Sequence, residues 1–177
     1  MNSGQKRLLV ARVTIHDDDT RTAFEKLAAY YGVMSRPKNN KNMRIEMTRP
    51  VYFSSFHEKD TMMFVLPSTT YTTIQEAPVP NDKDIEILYF FLLEETMYEE
   101  HKFSSFQWNF HGGWRGVKTY AEQLMDKMDS KVDLETPWLC AAYNMPSLFI
   151  FADTRIMIPL KEGTKCLKCG LPMPAFV

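Results

Sequence analysis

The sequence predicts an α+β fold, with a largely antiparallel sheet of about five to seven strands packed with two main helices, residues 19–31 and 116–130. Three observations carry this expectation. Apolar residues recur at helical spacing in two separate windows. Strand-like runs cluster between those windows instead of alternating with them, which disfavours a doubly wound sheet. The chain has 177 residues, 45% hydrophobic and 24% charged, an ordinary globular composition long enough to bury a core. We expect a single α+β domain over residues 1–160 and a short tail over 161–177.

The elements follow in order. Leu9, Ala11, Val13 and Ile15 alternate with Leu8, Val10, Arg12 and Thr14, which reads as a well-buried first strand. His16, Asp17, Asp18 and Asp19 then offer acidic side chains at a helix start, for capping or for a divalent metal. Ala23, Phe24, Leu27, Ala28 and Tyr31 hold helical spacing, and Gly32 is a natural stop. Ser35–Asn42 is a polar loop. Met43, Ile45 and Met47 alternate with Arg44, Glu46 and Thr48 as a half-exposed strand ended by Pro50. Val51–Phe56 and Met62–Leu66 are two more strands, with a turn between them, and Thr69–Ile74 is a short edge strand. Ala77–Asp82 is a loop carrying two prolines. Ile85–Leu93 is the most apolar run and fits a buried strand better than a helix; a helical or irregular acidic segment follows it. Val117, Tyr120, Ala121, Leu124, Met125 and Met128 mark the second helix. Pro137 and Trp138 mark a loop, and Ser147–Phe151 with Arg155–Leu160 read as a hairpin. No repeat is visible.

Charge divides the chain. Net charge is −1, so no global field favours nucleic acid. Residues 1–60 nevertheless hold eleven Lys/Arg against seven Asp/Glu, and residues 61–104 hold two against eight. The most basic group is Arg36, Lys38, Lys41, Arg44 and Arg49, a solvated loop or a phosphate-contacting patch. No apolar run reaches the length of a membrane helix, and no signal peptide is evident. Three cysteines, an odd number, point to a reducing, cytoplasmic setting.

The stretch His101–Lys118 gathers Phe103, Phe106, Trp108, Phe110 and Trp114 with Lys102, Arg115 and Lys118. Such a stretch is a core segment feeding a loop, a stacking surface for single-stranded nucleic acid, or a protein hot spot. His111-Gly112-Gly113-Trp114 has the form of a hydrolase oxyanion loop, but no G-x-S-x-G nucleophile accompanies it. Cys166-Leu167-Lys168-Cys169-Gly170 has the form of a zinc knuckle. Two further ligands would have to come from Cys140, from His57, His101 or His111, or from a second copy of the chain. Asp82 or Asp84 followed by Glu100-His101-Lys102 loosely fits a Mg²⁺-dependent nuclease pattern.

From these residues we expect a non-enzymatic binding or regulatory protein that acts through a protein–protein interface. It would be an inhibitor or adaptor engaging a nucleic-acid-handling partner. Its surface would be Trp108, Phe110, His111, Trp114 and Arg115, with Glu94, Glu95, Glu99 and Glu100. The alternatives are a nucleic-acid binder using Arg36, Lys38, Lys41 and Arg44, and a metal-dependent nuclease. The expected cofactor is structural Zn²⁺ on Cys166 and Cys169, with a homodimer through that tail as one arrangement.

Overall fold

The computed structural model describes residues 5–56, 59–94, 97–103, 113–143 and 154–161. The chain forms two compact units, Arg7–Phe91 and a second that joins the residues before Arg7 to those from Leu92 onward. Among the described residues the α+β expectation holds, with seven strands, antiparallel ladders and two main helices.

In the first unit β1 (Gln5–Thr14) leads into α1 (Thr20–Tyr31), then β2 (Val51–Phe56), β3 (Lys59–Val65) and β4 (Glu86–Leu93). The strands lie in the order β4-β1-β3-β2. Val10 faces Val65, Val13 faces Met62, and Phe53 faces Met62 from the other side. The helix starts where Asp19 accepts a hydrogen bond from the Thr22 amide at 3.0 Å, so the capping reading of Asp19 holds. It stops at Gly32, whose φ of +73° is left-handed and lets the next amides turn back to Ala28 and Ala29 carbonyls. Ala23, Phe24, Leu27, Ala28, Tyr30 and Tyr31 form its buried face. Phe24 and Tyr31 meet Phe64 edge-on at 5.5 and 5.3 Å between ring centres. Each such side chain removed from water contributes roughly 1.5–3 kcal/mol before entropy is counted.

The second unit repeats this connectivity with β5 (Tyr98–Phe103), α2 (Trp114–Met128), β6 (Trp138–Ala142) and β7 (Thr154–Pro159). The strand order is β6-β7-β5. In both units the second strand after the helix pairs antiparallel with the strand before the helix and with the first strand after it: β3 with β1 and β2, β7 with β5 and β6. Trp114 of α2 stacks on Trp138 at 5.6 Å, and Val117, Ala121 and Leu124 bury the same helix.

Four local expectations need correction. Residues 43–48 are not a strand, because the Ile45 amide donates to the Tyr31 carbonyl at the helix end and not to a ladder. Residues 69–74 are a turn, because the Glu76 carboxylate accepts from the Thr72 and Thr73 amides that a strand would spend on its neighbour. The acidic segment after Leu93 gives way to strand β5 at Tyr98, and Glu99 is buried in it. Trp138 opens β6 instead of marking a loop. The expected strand at Ile85–Leu93 is present as β4 but is part-exposed instead of buried, and the second arm of the expected hairpin is β7. Its first arm, 147–151, and the tail with Cys166 and Cys169 lie outside the described residues.

Candidate functional site

The C-terminal end of α1 carries two loops, residues 33–49 and 71–81, that are tied to the helix and to each other. The Lys38 amide donates to the Ala29 carbonyl at 2.8 Å and the Ile45 amide to the Tyr31 carbonyl at 2.9 Å. Asn39, 1% exposed, is the central tie. Its Nδ2 donates to the Tyr30 and Met43 carbonyls at 3.0 and 2.8 Å, and its Oδ1 accepts from the Met43 amide at 3.1 Å. The second loop is laced on by Asn40 N–H to the Val79 carbonyl at 2.9 Å and Val79 N–H to Asn40 Oδ1 at 2.8 Å. Lys41 Nζ donates to the Glu76 carbonyl at 3.0 Å, and the Tyr30 hydroxyl to the Pro78 carbonyl at 2.7 Å. Hydrogen bonds from Thr72 hold the Glu76 carboxyl below its ordinary range, and burial pushes the Tyr30 phenol well above its own. These ties fix the backbone and leave the outward side chains to solvent.

Those side chains are of two kinds. Met34, Met43, Ile74 and Val79 are 68%, 46%, 36% and 60% exposed, four of the six large exposed hydrophobic residues among the described residues. Scattered single apolar residues need no explanation, but four on two interlaced loops do. Arg36, Lys38, Arg44 and Arg49 are exposed on the same segment, and no ion pair among the described residues engages them. The two loops contain no histidine; their soft donors are methionine thioethers. Apolar tips and cations thus share the two loops, with Glu46 exposed between Arg44 and Arg49. Beside them is a cleft of about 200 Å³ lined by Thr22, Glu25, Lys26, Tyr30, Lys38 and Asp82. That volume is below the roughly 300–1,000 Å³ of usual ligand pockets. Its charges also balance, with Lys26 held by Asp84.

Of the residues expected to act, Arg36, Lys38, Lys41 and Arg44 are brought together on the first loop, all exposed. The aromatic and acidic set is dispersed in character. Trp114 is 1% exposed under Trp138, whereas Arg115 is exposed on α2. Glu94 is exposed, Glu99 is 7% exposed, and Glu100 is half-buried at 3.3 Å from Arg155. Trp108, Phe110, His111 and Glu95 lie outside the described residues. The exposed Met34, Met43, Ile74 and Val79 were not singled out from sequence; the available signal was apolar residues set in loops rich in Asn, Pro and Lys.

The chain matches the family of SOUL heme-binding proteins over residues 6–159, most of its length, and it belongs to that family. No match emerges among curated proteins. Family membership overturns the reading of a regulator or inhibitor working through a protein interface, and with it the nucleic-acid-binding and nuclease alternatives. The cofactor it points to is heme, not structural zinc. Among the described residues no cluster of His, Cys, Asp and Glu could hold a metal ion. Cys140 is fully buried in β6, and that burial pushes its thiol well above the ordinary range. The nuclease carboxylates are engaged elsewhere, Asp84 with Lys26 and Glu100 with Arg155. No helix among the described residues is long and apolar enough to cross a membrane.

Proposed function

We propose that this protein binds heme, or a closely related tetrapyrrole, on the platform formed by residues 33–49 and 71–81. The observation that carries the reading is the coincidence of four exposed apolar side chains with four cations that no ion pair engages among the described residues. The group has a flat apolar macrocycle, two propionate carboxylates and a central iron. Met34, Met43, Ile74 and Val79 would cover the plane, and Arg36, Lys38, Arg44 and Arg49 would meet the propionates. The ties through Asn39 and Asn40 fix the loop backbone before the ligand arrives, which lowers the ordering cost of binding. When bound, the group supplies a redox-active iron. The odd number of cysteines and the free, buried Cys140 support a reducing, cytoplasmic setting.

Soret-band titration of the purified chain with hemin tests this. The expected result is saturable binding of one equivalent. Charge reversal by Arg36→Glu with Arg44→Glu should weaken it about tenfold, since two exposed ion pairs together contribute roughly 1–2 kcal/mol. Saturable binding that the double reversal leaves within twofold of the parent would remove the platform from the reading.

A further inference from the structure

Resting on the platform reading, we infer that Met34 and Met43 are a modification site for peroxides, and that their conversion to methionine sulfoxide weakens ligand binding on residues 33–49 and 71–81. Three observations of the chain itself carry this. The first is selective exposure. Met34 and Met43 are 68% and 46% exposed. The other seven methionines among the described residues are shielded. Met62, Met63, Met97 and Met157 are buried, and Met47, Met125 and Met128 are half-buried. An oxidant must reach the sulfur, so the two sulfurs it meets first are both on the platform. The second is that the surface position is held. Asn39 binds the Met43 carbonyl at 2.8 Å and the Met43 amide at 3.1 Å. Gly32 turns the chain out of α1 at φ +73°, and the Val33 amide donates to the Ala28 carbonyl at 3.0 Å, which anchors the root of Met34. The third is that the core is spared. A sulfoxide at Met62 or Met63, 0% and 1% exposed, would bury a polar group, whereas at Met34 and Met43 it alters the surface alone.

The step is a two-electron oxygen transfer from hydrogen peroxide or an organic hydroperoxide. A sulfur lone pair attacks one peroxide oxygen and the O–O bond breaks. The departing oxygen takes up the peroxide proton and leaves as water or an alcohol, so sulfur is oxidised and the peroxide reduced. A flexible apolar side chain becomes a polar one, which covers an apolar ring plane poorly. The charge of the loops does not change. Arg36, Lys38, Lys41, Arg44 and Arg49 remain, opposed by Glu46 and Glu76. Oxidation therefore removes the apolar contribution to binding and leaves the ionic one.

The test treats the full, ligand-free chain with limiting hydrogen peroxide and removes the peroxide. Peptide mass mapping and a fluorescence titration with metal-free protoporphyrin follow. Met34 and Met43 should each gain one oxygen before any other described methionine. Affinity for protoporphyrin should fall about tenfold, with its salt dependence and the urea midpoint unchanged. Treatment with methionine sulfoxide reductases should restore it. In the double variant Met34→Leu, Met43→Leu, peroxide should change the affinity by less than about twofold from that variant's own starting value. This comparison separates the two sulfurs from Met1, Met145 and Met173, which lie outside the described residues. Oxidation of buried methionines first would overturn the inference and leave the tetrapyrrole reading standing. So would complete oxidation of Met34 and Met43 with affinity kept, or an equal loss in the double variant. An untreated parent chain that binds neither protoporphyrin nor hemin would overturn both.

Discussion

Replacing Gly32 by alanine should be among the most damaging single-methyl changes outside the core, and it acts at the root of the platform. Gly32 ends α1 at φ +73°. For an L-residue this left-handed conformation costs about 1–2 kcal/mol. A Cβ built at Gly32 would also stand 2.5 Å from Pro37 Cγ and 3.1 Å from Pro37 Cβ and Cδ. Those atoms belong to a closed ring and cannot swing aside as the end of a flexible side chain would. Crowding of this kind costs a further 1–3 kcal/mol, roughly. Against this stands a gain of about 0.4–1 kcal/mol from the stiffer unfolded chain. Gly32→Ala should therefore lose on the order of 2–4 kcal/mol, read as a lower urea midpoint at unchanged slope. A second variant separates the two causes. Pro37→Ala removes Cγ and Cδ, so in the double variant Gly32→Ala, Pro37→Ala the Gly32 change should cost about 1 kcal/mol less than it does alone. A Gly32→Ala variant within 0.5 kcal/mol of the parent, or strictly additive losses, would show that Pro37 does not pack on the helix end as described.

Asn39→Ala should cost on the order of 2–4 kcal/mol and weaken hemin binding. It leaves buried backbone groups of Tyr30 and Met43 without the partner that now satisfies them; urea unfolding and Soret titration of one preparation check both effects. Tyr31→Phe should be neutral or stabilise by up to about 1 kcal/mol. The Tyr31 hydroxyl is buried without a hydrogen-bond partner among the described residues, and a loss above 1 kcal/mol would contradict that. Burial raises the phenol of Tyr31 well above its ordinary value and that of Tyr98 to about 12. A folded-state value above the unfolded one gives stability that is full below about pH 10 and lost as pH rises towards the folded value. The unfolding free energy should fall by about 1.4 kcal/mol in total between pH 9 and 11 for each such tyrosine, most of it above pH 10, and Tyr98→Phe should make the fall shallower.

The fold class was legible because its signals are local. Ala23, Phe24, Leu27, Ala28 and Tyr31 declare a helix by spacing alone, Asp19 and Gly32 mark its ends, and Leu9 to Val13 declare a strand. The misreadings occur where a distant group takes the backbone's hydrogen bonds. Alternation at Met43, Ile45 and Met47 resembles a strand, but the partner of the Ile45 amide is the Tyr31 carbonyl of the preceding helix. Thr69–Ile74 is β-branched, but the Glu76 carboxylate satisfies its amides locally. The shared β-α-β-β connectivity of the two units was invisible, because α1 and α2 have little in common beyond apolar spacing. For the site, the basic cluster at Arg36, Lys38, Lys41 and Arg44 was visible as charge, and family membership overturns the nucleic-acid reading placed on it. The exposure of Met34, Met43, Ile74 and Val79 on the same loops is a property of burial that no residue type announces. Trp114 shows the converse: a tryptophan beside Arg115 suggested a contact surface, yet it stacks on Trp138 in the core.

The measurement that tests the central claim most directly is the salt dependence of hemin binding to the parent chain and to the Arg36→Glu, Arg44→Glu variant. If the propionates rest on the platform, the parent should bind saturably and lose affinity as ionic strength rises. The variant should then bind about tenfold more weakly at low salt and show a flatter salt dependence. Equal affinities and equal salt slopes for the two proteins would contradict the account and place the tetrapyrrole elsewhere on the chain.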